Sequence, residues 1–277
     1  MAGPTTSMPA AIRRERMLTV IKDQEFARVG DLSDRFGISE VTVRTDLDHL
    51  ERRGKVLRVH GGAIPHTPGS RVEPTFEQAV GASAAEKSAI GTFAASLVAP
   101  GETVLVDVGT TNAALAEALI ERTDLEGVVI LTNGLNIALQ FERAMPRFTV
   151  VVTGGTLRAR QHSLVEPYAA LLLDQLYADV FFLGCNGIHP EAGVSNINMP
   201  EAQMKRRMMR AARRTVVLAD GGKVGQISTA RVAPIEDVDL LVTGPSAPEV
   251  ALRELIEVGL SVHVAAPASG AGSITKE

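Results

Sequence analysis

The 277-residue chain has a single cysteine, Cys185, which excludes an internal disulfide. No apolar run approaches the ~18 residues of a membrane span. The opening MAGPTTSMPAAIRRER lacks the apolar stretch of a secretory signal. These absences lead us to expect a cytoplasmic protein without a membrane partner. The sequence also contains no G-x-S-x-G nucleophile motif, no Walker A lysine loop and no His/Cys metal cluster. We therefore expect no metal, no cofactor and no catalytic residue.

What is present suits a packed protein: 45% of residues are apolar and 22% charged, over a length typical of two domains. The net charge of −4 does not advertise nucleic-acid binding, but its distribution is uneven. Residues 1–66 hold 11 Lys/Arg against 9 Asp/Glu, and the remainder holds 17 against 23. The mildly basic first part would hold a phosphate backbone weakly, so strong binding needs two or more copies on one site.

Residues 8–66 read as a winged helix-turn-helix. A helix over 10–23 carries an apolar stripe of Ile12, Met17, Leu18 and Ile21. A second helix over 30–36 points Leu32 and Phe36 inward and stops at Gly37. Ser39 is a good N-cap for a third helix, in which Val43, Leu47 and Leu50 recur at i, i+4, i+7. Gly54 ends it. Glu40, Thr42, Arg44 and Thr45 are left on its exposed first turns, the part of a recognition helix that reaches base edges. Arg44 suits a bidentate guanine contact, while Ser39 and Thr42 suit phosphate. Lys55–His60 alternates as a strand closed by Gly61–Gly62, and Arg58 and His60 on one face could reach phosphate as a wing. The same spacing also fits a helical hairpin that binds protein.

After a Pro/Gly-bearing linker (67–75), strand and helix patterns alternate over 76–266. Strands are expected at Thr103–Val108, Val128–Thr132, Phe148–Thr153, Asp179–Leu183, Thr215–Ala219, Leu240–Thr243 and Ser261–Ala265. Helices are expected at Thr111–Glu121, Leu135–Arg143, Leu164–Gln175, Pro200–Arg213 and Ala247–Val258. Such alternation predicts an α/β domain with a doubly wound, mostly parallel sheet, whose ligands bind outside the carboxyl ends of the strands. The ends of five strands are polar and rich in glycine: Asp107–Asn112, Thr132–Gly134, Thr153–Thr156, Gly184–Gly187 and Asp220–Lys223. A lysine among hydroxyls and amides suits a phosphorylated ligand, and Asp107, Asn133 and Asp220 suit sugar hydroxyls. Each element also has a plainer reading. Glycines after strands are ordinary turn chemistry, Glu201 and Lys205 at i, i+4 also fit a surface ion pair, and the basic run Lys205–Arg214 also fits a solvated helix face. Cys185 is either a redox sensor or a packed, inert thiol. The Ala/Ser/Gly tail, 267–277, reads as disordered.

The stretch DLSDRFGISEVTVRTDLDHLERRGKVLRVHGGA resembles the N-terminal domain of the DeoR family of bacterial transcription regulators, with Thr45 standing where many members carry a second arginine. The body is similar to the sugar-phosphate sensor domain of that family, itself akin to ribose-5-phosphate isomerase. The resemblance covers essentially residues 8–260. It implies an effector site made of Lys87, Asp107, Gly109, Thr110, Thr111, Asn133, Gly154, Gly155, Glu201, Lys205, Asp220 and Lys223. One departure is Thr243-Gly244, where Thr-Asp is expected.

The function to expect is a DNA-binding transcriptional regulator, a repressor of a carbohydrate-metabolism operon. Its partners are double-stranded operator DNA, a phosphorylated sugar or polyol, and further copies of itself in a dimer or tetramer. The alternative is a sugar-phosphate isomerase-like enzyme using Asp107, Glu201 and Lys223.

Overall fold

The computed structural model describes residues 8–24, 26–53, 55–59, 61–65 and 73–266. Gly54, His60, the expected linker positions 67–72 and the expected disordered tail lie outside the described residues. The chain divides into two compact units between Ala82 and Ser83.

The first unit packs α1 (Ala10–Gln24), α2 (Val29–Phe36) and α3 (Glu40–Arg52) beside a small sheet. That sheet is antiparallel, with β3 (Gly62–Pro65) between β1 (Ala27–Arg28) and β2 (Val56–Val59). Gly37 ends α2 at φ 61°, a left-handed conformation that favours glycine. Ser39 caps α3 by accepting the Thr42 N–H at 3.2 Å. Met17, Ile21, Leu32, Val43 and Leu47 fill the core, each essentially inaccessible. Ile12, expected in the apolar stripe, is instead 47% exposed. Arg13 and Arg14 face α3 at that level, and a 100° step per residue turns Ile12 to solvent. Both arginines reach Asp46 on α3, at 2.6 and 2.7 Å. Burial pushes the Asp46 carboxyl up, but the two guanidinium groups outweigh it and hold it below its usual range. A short helix, α4 (Phe76–Val80), carries a capping box from Thr75 and Gln78 and packs on β2. Residues 76–82, expected to open the body, therefore go with the head.

The second unit begins with α5 (Ala84–Ser96) and β4 (Thr103–Val106). It continues with α6 (Thr110–Glu121), β5 (Val128–Thr132), α7 (Leu135–Phe141) and β6 (Phe148–Val152). A hairpin follows, β7 (Thr156–Arg158) and β8 (Ser163–Val165), then α8 (Ala169–Leu173) and β9 (Val180–Gly184). The remaining elements are β10 (Gly187–His189), β11 (Gly193–Asn196), α9 (Met199–Arg210), β12 (Thr215–Leu218), β13 (Ala230–Ala233), β14 (Leu240–Thr243), α10 (Glu249–Glu257) and β15 (Val262–Val264).

Seven strands form one parallel sheet in the order β15-β14-β12-β9-β4-β5-β6. They are the seven expected strands: Val128–Thr132 and Leu240–Thr243 keep their expected bounds, and the others differ by one or two residues at their ends. Buried side chains such as Phe181, Phe182, Leu105 and Val217 explain their continuous apolar runs. The strand order reverses between β4 and β9: the chain first winds outward through β5 and β6, then returns through β9, β12, β14 and β15. A crevice at the carboxyl ends is expected at such a switch point.

Two antiparallel additions were not expected. The order β10-β11-β13 forms a three-stranded sheet, and β7 pairs with β8. The helix expected from Leu164 is corrected accordingly: Leu164 and Val165 belong to β8, and the helix spans only Ala169–Leu173. The β7 ladder and a bond from the Leu164 N–H to the Asn133 carbonyl at 2.7 Å give this segment its backbone partners.

Candidate DNA-binding surface and ligand site

On the head, α3 presents its first turns to solvent. The hydroxyls of Ser39 and Thr42 lie 2.9 Å apart within the cap, and the Thr45 hydroxyl donates to the Val41 carbonyl at 3.0 Å. Arg44 reaches back one turn to Glu40 at 2.6 Å, with both side chains about half exposed. Such a pair is weak, about 0.3–0.5 kcal/mol, so it holds Arg44 extended without locking it. Arg58 differs from its expected outward wing position. Its guanidinium donates to Asp48 Oδ1 at 2.6 Å and to the Arg44 carbonyl at 3.0 Å, because a carboxylate on α3 stands within reach. Arg58 thus braces the strand against the helix. Val41 is 68% exposed among these polar residues. Sequence reasoning missed it because an apolar residue beside Val43 reads as core; its position is that of a side chain able to meet a thymine methyl.

In the body, the ends of β4 and β9 meet at the switch point. Asp107 is fully buried. Its Oδ2 accepts the Gly184 N–H at 3.0 Å and pairs with the Lys205 ammonium, which also donates to the Gly184 carbonyl at 3.0 Å. Glycine at 184 is needed for this approach, since a Cβ there would lie 2.9 Å from the Val108 carbonyl oxygen and 3.0 Å from Asn112 Nδ2. Burial pushes the Asp107 carboxyl up, opposed by Lys205 and the Gly184 N–H. Gly109 precedes α6 at φ 115° without a side-chain cap, so the first turn of α6, at Thr110 and Thr111, follows the carboxyl end of β4 with no side chain capping its N–H groups.

Glu201 and Lys205 are not a surface pair. Both are buried, and they turn to different partners. Glu201 Oε1 pairs with Arg158 and accepts the Ser163 hydroxyl at 2.6 Å, while Oε2 accepts Asn196 Nδ2 at 3.3 Å. Arg158 and Ser163 come from the β7–β8 hairpin, so these two residues of the site were invisible without the hairpin. Gly154 and Gly155 shape the turn that leads into it, at φ 71° and 122°. Their part is to seat the hairpin: a Cβ on Gly155 would lie 2.1 Å from the Val165 carbonyl oxygen.

At the end of β12, Lys223 lies 3.3 Å from Asp220. Burial works against the charge of both, yet their mutual attraction wins: Asp220 is held low by Lys223 and Lys87, and Lys223 is held high chiefly by Asp220. Lys87, on the buried face of α5, therefore belongs to the same cluster. Cys185 feels the charges of Lys223, Lys205, Asp220 and Asp107, which places it between the two groups. Burial pushes its thiol up to about 11, so it stays protonated and suits the inert reading. Gly244, where aspartate is expected from the resemblance, leaves space that the Glu86 side chain fills.

Five buried oxygens at these strand ends have no hydrogen-bond partner: Asp107 Oδ1, Thr111 Oγ1, Asn112 Oδ1, Asn133 Oδ1 and Thr243 Oγ1. An orphaned buried polar group costs about 1–3 kcal/mol, so their concentration at the carboxyl ends of β4, β5 and β14 makes this the candidate ligand site. The basic run after Lys205 is, by contrast, partly paired with carboxylates from other segments, while Arg206 donates to the Arg231 carbonyl. Arg207 pairs with Glu166, Arg213 with Asp179 and Arg214 with Glu102. No group of His, Cys, Asp or Glu suited to a metal ion occurs among the described residues, and no helix there is long and apolar enough to cross a membrane.

Comparison with known proteins agrees with both halves of this geometry. Residues 13–68 match the DeoR-like helix-turn-helix domain, and residues 82–245 match the DeoR C terminal sensor domain. A putative aga operon transcriptional repressor of Escherichia coli O157:H7 is 33% identical over 253 residues, 90% of this chain and 92% of that one. The HTH-type transcriptional regulator GlpR of Haloferax volcanii is 34% identical over 255 residues, 92% of this chain and 98% of its own. Among solved structures, a ribose 5-phosphate isomerase from Methanocaldococcus jannaschii aligns at 17% identity with a TM-score of 0.37, over 50% of this chain and 52% of that one. With a recognition helix in its head and a parallel-sheet sensor in its body, this chain belongs to the DeoR family of DNA-binding transcriptional regulators.

Proposed function

We propose that the protein represses a carbohydrate-metabolism operon in the cytoplasm and is released from, or reshaped on, its operator by a phosphorylated sugar or polyol. In this reading α3 enters the major groove. Arg44 contacts a guanine, Val41 a thymine methyl, and Ser39, Thr42 and Thr45 approach the backbone, while Glu40 tunes Arg44 and Arg58 holds the wing strand on α3. His60 is assigned to the wing by its sequence position alone. In the crevice, Lys87, Lys223 and the first turn of α6 at Gly109, Thr110 and Thr111 take the phosphate. Asp107, Asn133 and Asp220 take sugar hydroxyls. Glu201 and Lys205 hold Asp107 and the hairpin in place, with Gly154 and Gly155 behind them. The names of the relatives, repressors and regulators of operons, support the repressor sense.

The observation that carries the ligand half is the set of orphaned oxygens at the carboxyl end of the sheet, with those of Asp107, Thr111 and Asn112 beside the switch point and those of Asn133 and Thr243 at the ends of β5 and β14. A ligand switches the protein only if it binds the two DNA-affinity states unequally, so the effector must favour one arrangement of paired heads. The test is a thermal-shift screen of the full chain against phosphorylated sugars and polyols, followed by an operator-release titration with any compound that raises the melting temperature. A saturable shift that also changes operator affinity is expected. A shift without any change in operator affinity would leave a ligand site but remove the switch, and turnover of the compound would favour an isomerase-like enzyme.

A further inference from the structure

Glu86 is a buried carboxylate outside the residues assigned above, only 8% exposed in the first turn of α5. Its Oε1 accepts the Gly221 N–H at 3.2 Å, the Ser246 N–H at 3.3 Å and the Ser246 hydroxyl at 2.8 Å; the same hydroxyl lies 2.9 Å from Oε2. One side chain thus ties α5 to two separate loops, the turn that follows β12 and the turn that follows β14. Gly221 opens the short helical turn Gly221–Lys223, whose last residue is the lysine paired with Asp220. Glu86 also adjoins Lys87 in sequence, and its charge acts on Lys223.

The space Glu86 occupies exists because residue 244 has no side chain. A Cβ on Gly244 would lie 2.0 Å from both Glu86 Cγ and Oε1. That overlap is far inside van der Waals contact, so a carboxylate in this space comes either from α5 or from position 244, and never from both.

We propose that Glu86 and Gly244 form a matched pair that clamps the Asp220–Lys223 loop against α5, making Glu86 a positioning residue for Lys223 and Lys87. The carboxylate supplies a fixed acceptor for two backbone N–H groups and a hydroxyl, which removes the loop's freedom to swing Lys223 away from the crevice. Its place in the first turn of α5 is also favourable for a negative charge. The consequence for ligand binding rests on the phosphate reading of the crevice; the clamp itself does not.

Four forms of the full chain test this: wild type, E86A, G244D and E86A/G244D. The readouts are amide hydrogen exchange of residues 221–226 and the apparent Kd for inorganic phosphate. E86A is expected to speed exchange of that loop roughly tenfold and weaken phosphate binding roughly tenfold, the size seen when an orienting partner of a binding group is lost. G244D is expected to do at least as much harm, because two side chains then compete for one space. The double variant should recover most of both losses, since its carboxylate re-enters the same space from β14. A merely structural role would not show rescue by a second substitution that is itself harmful. Unchanged loop exchange in E86A, or a double variant no better than E86A, would overturn the proposal. Should E86A fail to fold, E86Q keeps the side-chain shape and removes the charge; faster exchange of residues 221–226 in E86Q is then the expected result, and unchanged exchange would overturn the proposal. If wild type ignores phosphate while the exchange pattern and its rescue hold, the clamp stands and the phosphate reading falls.

Discussion

Two arginines on the head pair with carboxylates of α3, and the two contacts differ in kind. Arg44 and Glu40 are half exposed, so their pair opens at little cost; Arg58 is only 19% exposed and makes two bonds to α3. Arg44→Ala should weaken operator binding by about 1–3 kcal/mol and relax preference at one base pair, measured by titration against single-base operator variants. Glu40→Gln should act oppositely, tightening binding to all sequences a few-fold at low salt and less at high salt. Asp46 shows the same chemistry used for stability. Its carboxyl is held low, so its contribution is complete above the unfolded value of about 3.9 and is lost as pH falls through the lower folded value. Asp46→Asn should cost the head about 1–3 kcal/mol at neutral pH and flatten the acid limb of its stability curve, read by urea unfolding between pH 7 and 3. Ser39, Val43 and Leu47 were legible because caps and core spacing are local signals. Arg58 was not, since nothing local says that Asp48 stands within reach of its guanidinium.

Elements were legible in proportion to how many buried residues each carries. The seven strands of the main sheet announce themselves as runs such as Val180–Gly184, buried on both faces. The strands β7 and β8 have three residues each, and the apolar Leu164 and Val165 run toward Leu171–Leu173 at a spacing that also suits a helix. Pairing between segments decided the matter, and a pairing partner is not a periodicity. The cost of that misreading was the candidate site's hairpin side, Arg158 and Ser163 on Glu201. The hairpin depends on Gly155, which sits at φ 122° with the Val165 carbonyl oxygen 2.1 Å from where a Cβ would be. Gly155→Ala should therefore destabilise the body by about 2–3 kcal/mol, through strain and displacement of β8. A melting temperature within a degree of wild type would mean that the hairpin is free to move off the sheet.

At the scale of the whole molecule, function requires a head and a body with separable losses. The head carries an excess of only two basic residues, so one head on one half-site should bind weakly and with a shallow salt dependence. In the proposed function, heads paired in a dimer or tetramer make the second contact intramolecular, and an operator reduced to one half-site should lose about 10²–10⁴ in affinity. Lys223 probes the other half of the switch. It lies at the end of β12 in the second compact unit, paired with Asp220 and remote in sequence from every residue assigned to DNA. Lys223→Ala should leave operator affinity in the absence of effector unchanged, because no DNA contact is removed. It should raise the effector concentration needed for release about tenfold or more, because a charge-assisted phosphate contact worth about 1.5–3 kcal/mol is lost. Operator titrations with and without effector separate the two quantities. If the variant responds normally, the phosphate lies elsewhere in the crevice, with Lys87 and the first turn of α6 the next positions to alter. If it loses operator binding without effector, Lys223 acts on the pairing of heads instead, and the ligand site and the assembly of the protein would have to share this loop.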